Sequence, residues 1–498
     1  MSVGRAAATP TERLRFLNGA PARGDGEFVL YWMTAQRRLH SNFALQFAAE
    51  RAAALGRPLV ILEALRIGYR WASDRLHRFV LDGMRDHAAA LAGGSVHYYA
   101  YLEPQEGAGG GLIEALSARA CEVVTDDYPT SFIPRMLAAA APRLPVRLTA
   151  VDGNGLRPMR RGERVFPTAY LFRRALQAEL PALLDEFPEA DPLALHHLPR
   201  LPAGTLDEIA RRWPPLGRAA AVDLGALAID HTVSVAPTEG GRVAALSRMH
   251  GFLATGLAGY GEGRNHPDDD GASGLSPYLH FGHLGAHEVV AAVIEHAGWS
   301  PARIAPRVNG AKAGWWGLPP GAESYLDELV TWRELGFNFC AQRSEAIDRY
   351  EGLPDWTRAT LDAHAGDPRE AVYELDAFAA ARTHDPLWNA AQRQLLREGR
   401  MHNYLRMLWG KKILEWSATP RDALATMVEL NNRYALDGRD PNSTSGIAWV
   451  LGRYDRPWAE RPVFGVVRYM SSANTARKLR VRGFLERYGP EERQLPLA

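Results

Sequence analysis

Two tryptophans stand seven residues apart in the stretch MHNYLRMLWGKKILEW, at Trp409 and Trp416. Seven residues make about two turns of an α-helix, so both indoles would project from one face, roughly 10 Å apart along the axis. Trp388 lies on the helical run before them. Indoles at such intervals are a plausible electron conduit, but aromatic side chains also fill helix cores. The spacing alone leaves both interpretations open.

A second group of residues has the composition of a phosphate site. In the stretch SGLSPYLHFG, which follows YGEGRN, Ser273, Gly274 and Ser276 precede a predicted helix. Exposed N–H groups at a helix start, with hydroxyls beside them, suit a phosphate or pyrophosphate. Ordinary capping, with Pro277 at an early helical position, explains the same residues without a ligand.

Two further clusters combine charged and aromatic side chains. DELVTWREL places Glu328, Trp332 and Glu334 near helical spacing, which is typical of an amphipathic helix with ordinary ion pairs. NNRYALDGRDPN contains a turn, and Asp437 and Arg439 could simply tie that turn down. No HExxH, GxSxG, GxGxxG or P-loop motif and no metal-ligand cluster occurs. The C-terminal half of the chain, which contains these motifs, concentrates Trp, Arg, Asn and Asp. These residue types suit binding of a flat ligand or nucleobases better than hydrolysis.

The elements that must position these residues fall into two parts. Short apolar runs alternate with helical runs over 28–150, which predicts an α/β domain with a doubly wound parallel sheet of five strands. Such sheets bind ligands beyond the carboxyl ends of their strands. Residues 151–245, rich in Pro, Arg and Gly, indicate a connector, and 246–490 is almost wholly helical. We expect 1–27 to be a mobile N-terminus.

Composition narrows the class of protein. A chain of 498 residues exceeds one hydrophobic core, which favours two or more domains. The net charge is only +1, yet residues 381–498 hold 20 Lys and Arg against 12 Asp and Glu. That excess indicates either a polyanion-facing surface or a solvated helical one. Two cysteines without zinc-site spacing, no signal-peptide pattern and no long apolar run predict a cytoplasmic protein outside the membrane.

Several of these stretches together resemble the photolyase/cryptochrome family, specifically its class II cyclobutane pyrimidine dimer photolyases. The matching segments are LSPYLHFG, ELVTWREL, THDPLWNAAQ, GRMHNYLRMLWGKKILEW, NNRYALDGRDPN, GIAW and ERPVFGVVRYM. RRLHSNFALQFAAERA extends the likeness to almost the whole chain. The family folds as a Rossmann-like, antenna-type α/β domain followed by an all-α FAD-binding domain. The resemblance implies that photoexcited reduced FAD donates an electron to a pyrimidine dimer in DNA, which splits and returns the electron.

The resemblance also assigns residues to the cofactor. Arg406 would pair with Asp437 beside the isoalloxazine ring, and Asn431 would lie near flavin N5. The electron-transfer tryptophans that photoreduce oxidised FAD would be Trp388, Trp409 and Trp416. The complete set of implied FAD-binding residues is Tyr260, Ser273, Gly274, Leu275, Ser276, Arg406, Asn431, Asp437, Gly438 and Arg439.

A second implied set serves the lesion. Glu328 would contact the dimer and stabilise its radical anion, with Met407 close by; the implied catalytic residues are Glu328, Asn431 and Met407. Trp332 and Trp449 would flank the lesion as an aromatic clamp, where stacking is worth ~1–3 kcal/mol per base. The implied lesion- and DNA-binding residues are Arg264, Asn265, Glu328, Trp332, Trp449, Arg456 and Arg468.

The resemblance leaves some properties open. Family members carry a deazaflavin, a folate or no antenna chromophore in the N-terminal domain, and no residue set here decides among them. We expect the partner to be DNA that contains pyrimidine dimers. We also expect the protein to be a cytoplasmic monomer that binds no metal. A cryptochrome-like photoreceptor without repair activity is the main alternative; repair of (6-4) lesions and a flavin-free nucleic-acid-binding protein are others. Two segments, VDGNGLRP (151–158) and GWWGLPPG (314–321), fit the pattern of the class less closely.

Overall fold

The N-terminal part contains one six-stranded sheet. The computed structural model describes residues 4, 8–217 and 221–490. The strands are β1 Leu14–Phe16, β2 Phe28–Met33, β3 Leu59–Leu65, β4 His97–Leu102, β5 Ala120–Asp126 and β6 Leu148–Val151. They lie in the order β1-β6-β5-β2-β3-β4, and all neighbours are parallel except β1 and β6. The predicted parallel five-stranded sheet is therefore confirmed, with one antiparallel strand added at its edge.

The added strand lies in the segment that we expected to be mobile. β1 pairs Leu14 with Val151 of β6. Just before it, the buried guanidinium of Arg13 donates to three carbonyl oxygens, those of Asp152, Gly155 and Leu156. The sequence did not indicate this strand, because three residues are too few to show a periodic pattern; the mobility of 1–27 stays a prediction. Residues 1–3 and 5–7 lie outside the described part of the chain.

Four helices cover the faces of the sheet: α1 Phe43–Leu55, α2 Asp74–Ala90, α3 Leu112–Arg119 and α4 Ile133–Ala140. Successive side chains of a strand point to opposite faces. Leu30 and Trp32 of β2 accordingly pack with α3 and α4, whereas Tyr31 and Met33 pack with α1. All six residues of β2 are buried, which explains why the strand reads as an unbroken apolar run.

The rest of the described chain is helical. The connector contains α5 Ala169–Leu183 and α6 Asp207–Arg212. Then follow α7 Gly241–Gly251, α8 Tyr260–Gly263, α9 Ser276–His280, α10 Ala286–His296, α11 Pro320–Leu326, α12 Arg333–Gln342, α13 Asp355–Ala363, α14 Leu375–Ala379, α15 Pro386–Glu398, α16 Asn403–Trp416, α17 Pro420–Tyr434, α18 Pro441–Val450, α19 Ser472–Lys478 and α20 Arg482–Arg487. Two π-helical turns, Phe252–Gly256 and Asp327–Trp332, interrupt this series. The domain boundaries given above stay predictions.

Helix α12 holds the connector segment VDGNGLRP. The buried carboxylate of Glu334 accepts hydrogen bonds from the backbone N–H groups of Leu156, at 2.7 Å, and Arg157, at 3.0 Å. Arg333 donates to the carbonyl oxygen of Asn154 at 2.7 Å. Burial raises the pKa of Glu334 to about 7, although these N–H groups oppose the shift. Glu334 is therefore an anchor between the two parts of the chain, and the expected ion pairing on an amphipathic surface is wrong for it.

The GWWGLPPG segment is also structural. Trp315 and Trp316 are buried in the helical core. The carboxylate of Glu323 accepts from the backbone N–H groups of Gly314, at 2.6 Å, and Trp316, at 2.8 Å. Trp299 donates its indole N–H to the Trp316 carbonyl oxygen. Within the described ranges, no helix has the length and apolarity to cross a membrane, and no cluster of potential metal ligands occurs.

Candidate functional site

Residues from separate sequence motifs meet where α16, α17 and α9 converge. Arg406 of α16 forms an ion pair with Asp437, which lies in the turn after α17, at 3.0 Å. Ser276, the first residue of α9, donates its hydroxyl to the other carboxylate oxygen of Asp437 at 2.6 Å. The structure thus brings these three predicted cofactor residues together.

The side-chain amide of Asn431 lies in the same network. Its Oδ1 accepts from the Ser443 hydroxyl at 3.0 Å, and its Nδ2 donates to Asn432 Oδ1 at 3.0 Å. Asn432 Oδ1 also accepts from the backbone N–H of Arg439 at 2.9 Å, which ties the predicted turn at Gly438 and Arg439 to the network. Ser443 and Asn432 were not predicted, because a serine at a helix start and a second asparagine carry no distinctive sequence signal.

The predicted phosphate loop is held from outside by an arginine. Arg248 of α7 donates to the carbonyl oxygens of Ser273, at 2.7 Å, and Ala272, at 3.1 Å. Gly274 has φ +70°, and an added Cβ there would stand 2.6 Å from Arg248 Nε, so glycine is needed at this position. Leu275 is fully buried behind the loop. Sequence reasoning missed Arg248, because nothing in its helix marks it as a partner of this loop.

Tyr260 connects that loop to the predicted lesion residues. The hydroxyl of Tyr325 hydrogen-bonds to Ser273, and its ring meets the buried Tyr260 ring edge-on at 5.1 Å. The Arg264 guanidinium lies over the Tyr260 ring, 5.6 Å from its centroid. Asn265, the next residue, is half-buried.

Glu328 forms an ion pair with Arg264. It lies in the π-helical turn that also carries Trp332, and such turns are frequent at functional sites. Burial raises the pKa of Glu328, and the Arg264 guanidinium opposes that shift. The result is a carboxyl group that protonates more easily than an exposed glutamate.

The two tryptophans predicted to form a clamp are in direct contact. The rings of Trp332 and Trp449 stack with centroids 4.5 Å apart and planes 12° from parallel. The indole N–H of Trp449 is buried and has no hydrogen-bond partner among the described residues. A base could stand between the rings only if they separated. Met407 is half-buried and packs against the core of the helical part.

Two predicted DNA-binding arginines lie in the segment after α18. Arg456 is exposed, and Arg468 is half-buried with its guanidinium 5.3 Å from the exposed ring of Trp458. Neither forms an ion pair with a carboxylate in the described part of the chain. They remain available to an anionic ligand.

Trp388 contacts both of the other predicted electron-transfer tryptophans. Its indole N–H donates to the backbone carbonyl of Trp409 at 3.0 Å, and its ring lies 6.2 Å from that of Trp416. The indole of Trp409 donates to Gln392 at 2.9 Å. All three rings are buried in one hydrophobic cluster, so they contribute to core packing, and their role in electron transfer stays a prediction.

The sequence comparison decides the family. The chain is 33% identical to the deoxyribodipyrimidine photo-lyase of Methanothermobacter thermautotrophicus, over 96% of this chain and 98% of the relative. It is 34% identical to the deoxyribodipyrimidine photo-lyase of Oryza sativa subsp. japonica, over 95% of this chain and 89% of the relative. The chain belongs to the deoxyribodipyrimidine photo-lyase family. No family model matches it.

Solved structures of photolyases and cryptochromes have the same fold. The class III photolyase of Agrobacterium tumefaciens superimposes with a TM-score of 0.66 at 16% identity, over 93% of this chain and 86% of that one. A cryptochrome of Synechocystis superimposes with a TM-score of 0.65 at 16% identity, over 94% of this chain and 90% of the cryptochrome chain. The predicted combination of an α/β domain with a helical domain is therefore confirmed.

Photo-lyase family members bind flavin, and the residues here suit one. One N–H of Asn431 Nδ2 is used by Asn432, and the described residues supply no partner for the second. Arg406 and Asp437 add a donor and an acceptor beside it. An amide, a guanidinium and a carboxylate are the groups that can hydrogen-bond the nitrogen and oxygen atoms of an isoalloxazine ring.

The protein also has a cavity between its α/β part and its helical part. It encloses about 350 Å³ beyond the carboxyl ends of the strands. Its lining combines aliphatic residues with the aromatic side chains of Trp32, Tyr69, Tyr101, Tyr128, Phe132 and Phe281. Arg439 reaches the same cavity from the turn beside Asn432, where burial lowers its pKa. A ligand here would lie at the site that the sheet topology predicts.

Proposed function

We propose that this protein repairs cyclobutane pyrimidine dimers in DNA under light. The observation that carries the proposal is Glu328, paired with Arg264, on the same π-helical turn as the Trp332 that stacks on Trp449. A carboxyl group whose pKa is raised can donate a hydrogen bond to a base carbonyl as negative charge develops on it. The near full-length relatives named photo-lyases support repair over signalling.

Reduced FAD, when bound and excited by light, would supply one electron to the dimer and recover it once the cyclobutane ring has opened. Arg406, Asp437 and Asn431 would hold its ring, and Ser276 would orient the Asp437 carboxylate. The loop of Ser273, Gly274 and Leu275 would hold the phosphates through its backbone N–H groups. The helix that follows, α9, is only five residues long, so the loop and not the helix N-terminus would supply these donors. Tyr260 would close that side of the site.

DNA would be held by cations on the same half of the chain. Arg456 and Arg468 would neutralise phosphates beside the lesion. Photolyases as a class act on nucleotides turned out of the stack, and a damaged base pair costs less to unstack. Trp332 and Trp449 would then separate to receive the extruded bases, which regains ~1–3 kcal/mol of stacking per base.

An antenna chromophore, a deazaflavin or a folate, would occupy the cavity between the two parts. The aromatic and aliphatic side chains of its lining suit a flat ring system. The polar groups there, including Arg439 and Arg37, would fix its orientation. The cytoplasmic location and the monomeric state stay predictions.

Illumination of the purified, flavin-loaded protein with an oligonucleotide that contains one thymine dimer tests the proposal. We expect the dimer to disappear in the light and to persist in a dark control. Glu328→Ala removes the carboxyl group and with it the hydrogen bond to the base carbonyl, and we expect it to lower the repair yield while flavin stays bound. A flavin protein that photoreduces without splitting dimers would instead be the photoreceptor.

A further inference from the structure

The hydroxyl group of Ser443 contacts two of the residues proposed to face the flavin. Ser443 lies at the start of α18 and is 5% exposed. Its Oγ is 3.3 Å from Arg406 Nη1 and 3.0 Å from Asn431 Oδ1. It therefore links the Arg406–Asp437 ion pair to the side-chain amide of Asn431.

The chemistry of the partners determines which way each proton points. A guanidinium group only donates, so Ser443 Oγ accepts from Arg406. The single hydroxyl proton is then free to be donated to Asn431 Oδ1. The serine thus donates its only proton to that oxygen, while one of the two lone pairs on its Oγ accepts from the arginine.

A second contact fixes the orientation of the Asn431 amide independently, at its nitrogen. The backbone N–H of Arg439 can only donate, so the Asn432 atom that it contacts at 2.9 Å is an oxygen. That oxygen accepts from Asn431 Nδ2 at 3.0 Å. Rotating the Asn431 amide by 180° would bring two oxygens together here, and this contact would lose its hydrogen bond.

We propose that Ser443 is a positioning residue that holds the Asn431 amide with an N–H of Nδ2 free for the flavin. The inference deepens the proposed function, because it concerns the same flavin site. Ser443 itself acts through Asn431 and Arg406. Without its hydroxyl, only Asn432 restrains the amide, so the free N–H spends less time in one direction.

Measurements on the flavin in the dark, without DNA, test the role of Ser443. Ser443→Ala should weaken flavin binding about fivefold, which corresponds to ~1 kcal/mol for one hydrogen bond. It should also lower the flavin midpoint potential, since a less ordered donor stabilises added electron density less. Ser443→Thr, which keeps a hydroxyl, should restore both values.

Two controls separate positioning from general damage to α18. Ser445→Ala removes a neighbouring buried hydroxyl that bonds to Tyr454 at 3.0 Å, and it should leave the potential unchanged. In an Asn431→Ala background, Ser443→Ala should have no further effect on the potential, because its target is gone.

An equal effect of Ser443→Ala with and without Asn431 would overturn the inference, as would an unchanged potential in Ser443→Ala. If Ser443→Ala fails to fold, Ser443→Cys, with a weak S–H donor, should give an intermediate potential; a parental value would refute the role. If the parent protein binds no flavin at all, the proposed function fails first. If the parent binds flavin but Ser443→Ala leaves the midpoint potential unchanged, only this inference is refuted and the proposed function stands.

Discussion

Lys411 offers a test of how the helical part is stabilised. It lies on α16 with 0% of its surface exposed, and its ammonium group donates to the Val450 carbonyl oxygen at the end of α18. No carboxylate forms an ion pair with it in the described part of the chain. Burial lowers the pKa of Lys411 from 10.5 to about 7.

A lowered lysine pKa means that the unfolded chain binds the proton more tightly than the folded protein does. The charge therefore destabilises the fold fully below pH 7, and that cost is relieved as pH rises from 7 to 10.5. At 1.36 kcal/mol per pKa unit, the cost is about 5 kcal/mol at pH 6 and about 2 kcal/mol at pH 9. Lys411→Met removes this cost of burying the charge. It also leaves the Val450 carbonyl oxygen without its hydrogen-bond donor, which costs about 1–3 kcal/mol of stability.

We therefore expect Lys411→Met to exceed the parent in free energy of unfolding by about 2–4 kcal/mol at pH 6, and to match it within about 1 kcal/mol at pH 9. Urea unfolding of the flavin-loaded proteins at both pH values measures this difference. Lys312→Met, at an exposed loop lysine, is the matched control and should show no such change with pH. If Lys411→Met were destabilised equally at both pH values, the reasoning from the buried charge would be refuted.

Three further predictions address the electron path, the packing and the DNA surface. Trp388→Phe should slow photoreduction of oxidised flavin at least tenfold, as measured by flavin absorbance under illumination. Repair should be spared when the flavin is chemically reduced beforehand. Photoreduction at the normal rate would exclude Trp388 from the electron path. Gly336→Ala should lower the free energy of unfolding by about 1–3 kcal/mol, because its Cβ would stand 2.9 Å from the Pro441 carbonyl oxygen. Gly446→Ala on α18, with nothing within 4 Å, is its control, and equal losses would contradict the packing argument. Arg468→Gln should reduce the slope of log affinity for DNA against log salt by about one, whereas Arg85→Gln on the N-terminal domain should not.

Much of the architecture could be predicted from local pattern. The strands β2 to β6 appear in the sequence as largely apolar runs separated by helical ones, because a strand buried on both faces consists mostly of apolar residues. The motifs from LSPYLHFG to ERPVFGVVRYM similarly pointed to a flavin site, since several short segments in a fixed order rarely coincide by chance. The strand β1 could not be predicted, because pairing with β6 at the sheet edge, and not its own three residues, makes it a strand.

The amino-acid sequence by itself determined the fold class, the family and the chemical groups at the candidate site. Only the tertiary structure decided which groups touch: Ser443 and Asn432 on the Asn431 amide, Arg248 on the Ser273 loop, and Trp332 directly on Trp449. The physical reason is that periodicity and propensity act over a few neighbouring residues. Hydrogen bonds between α7, α17, α18 and the loops depend instead on how distant helices pack, and that packing leaves no local signature in any one segment.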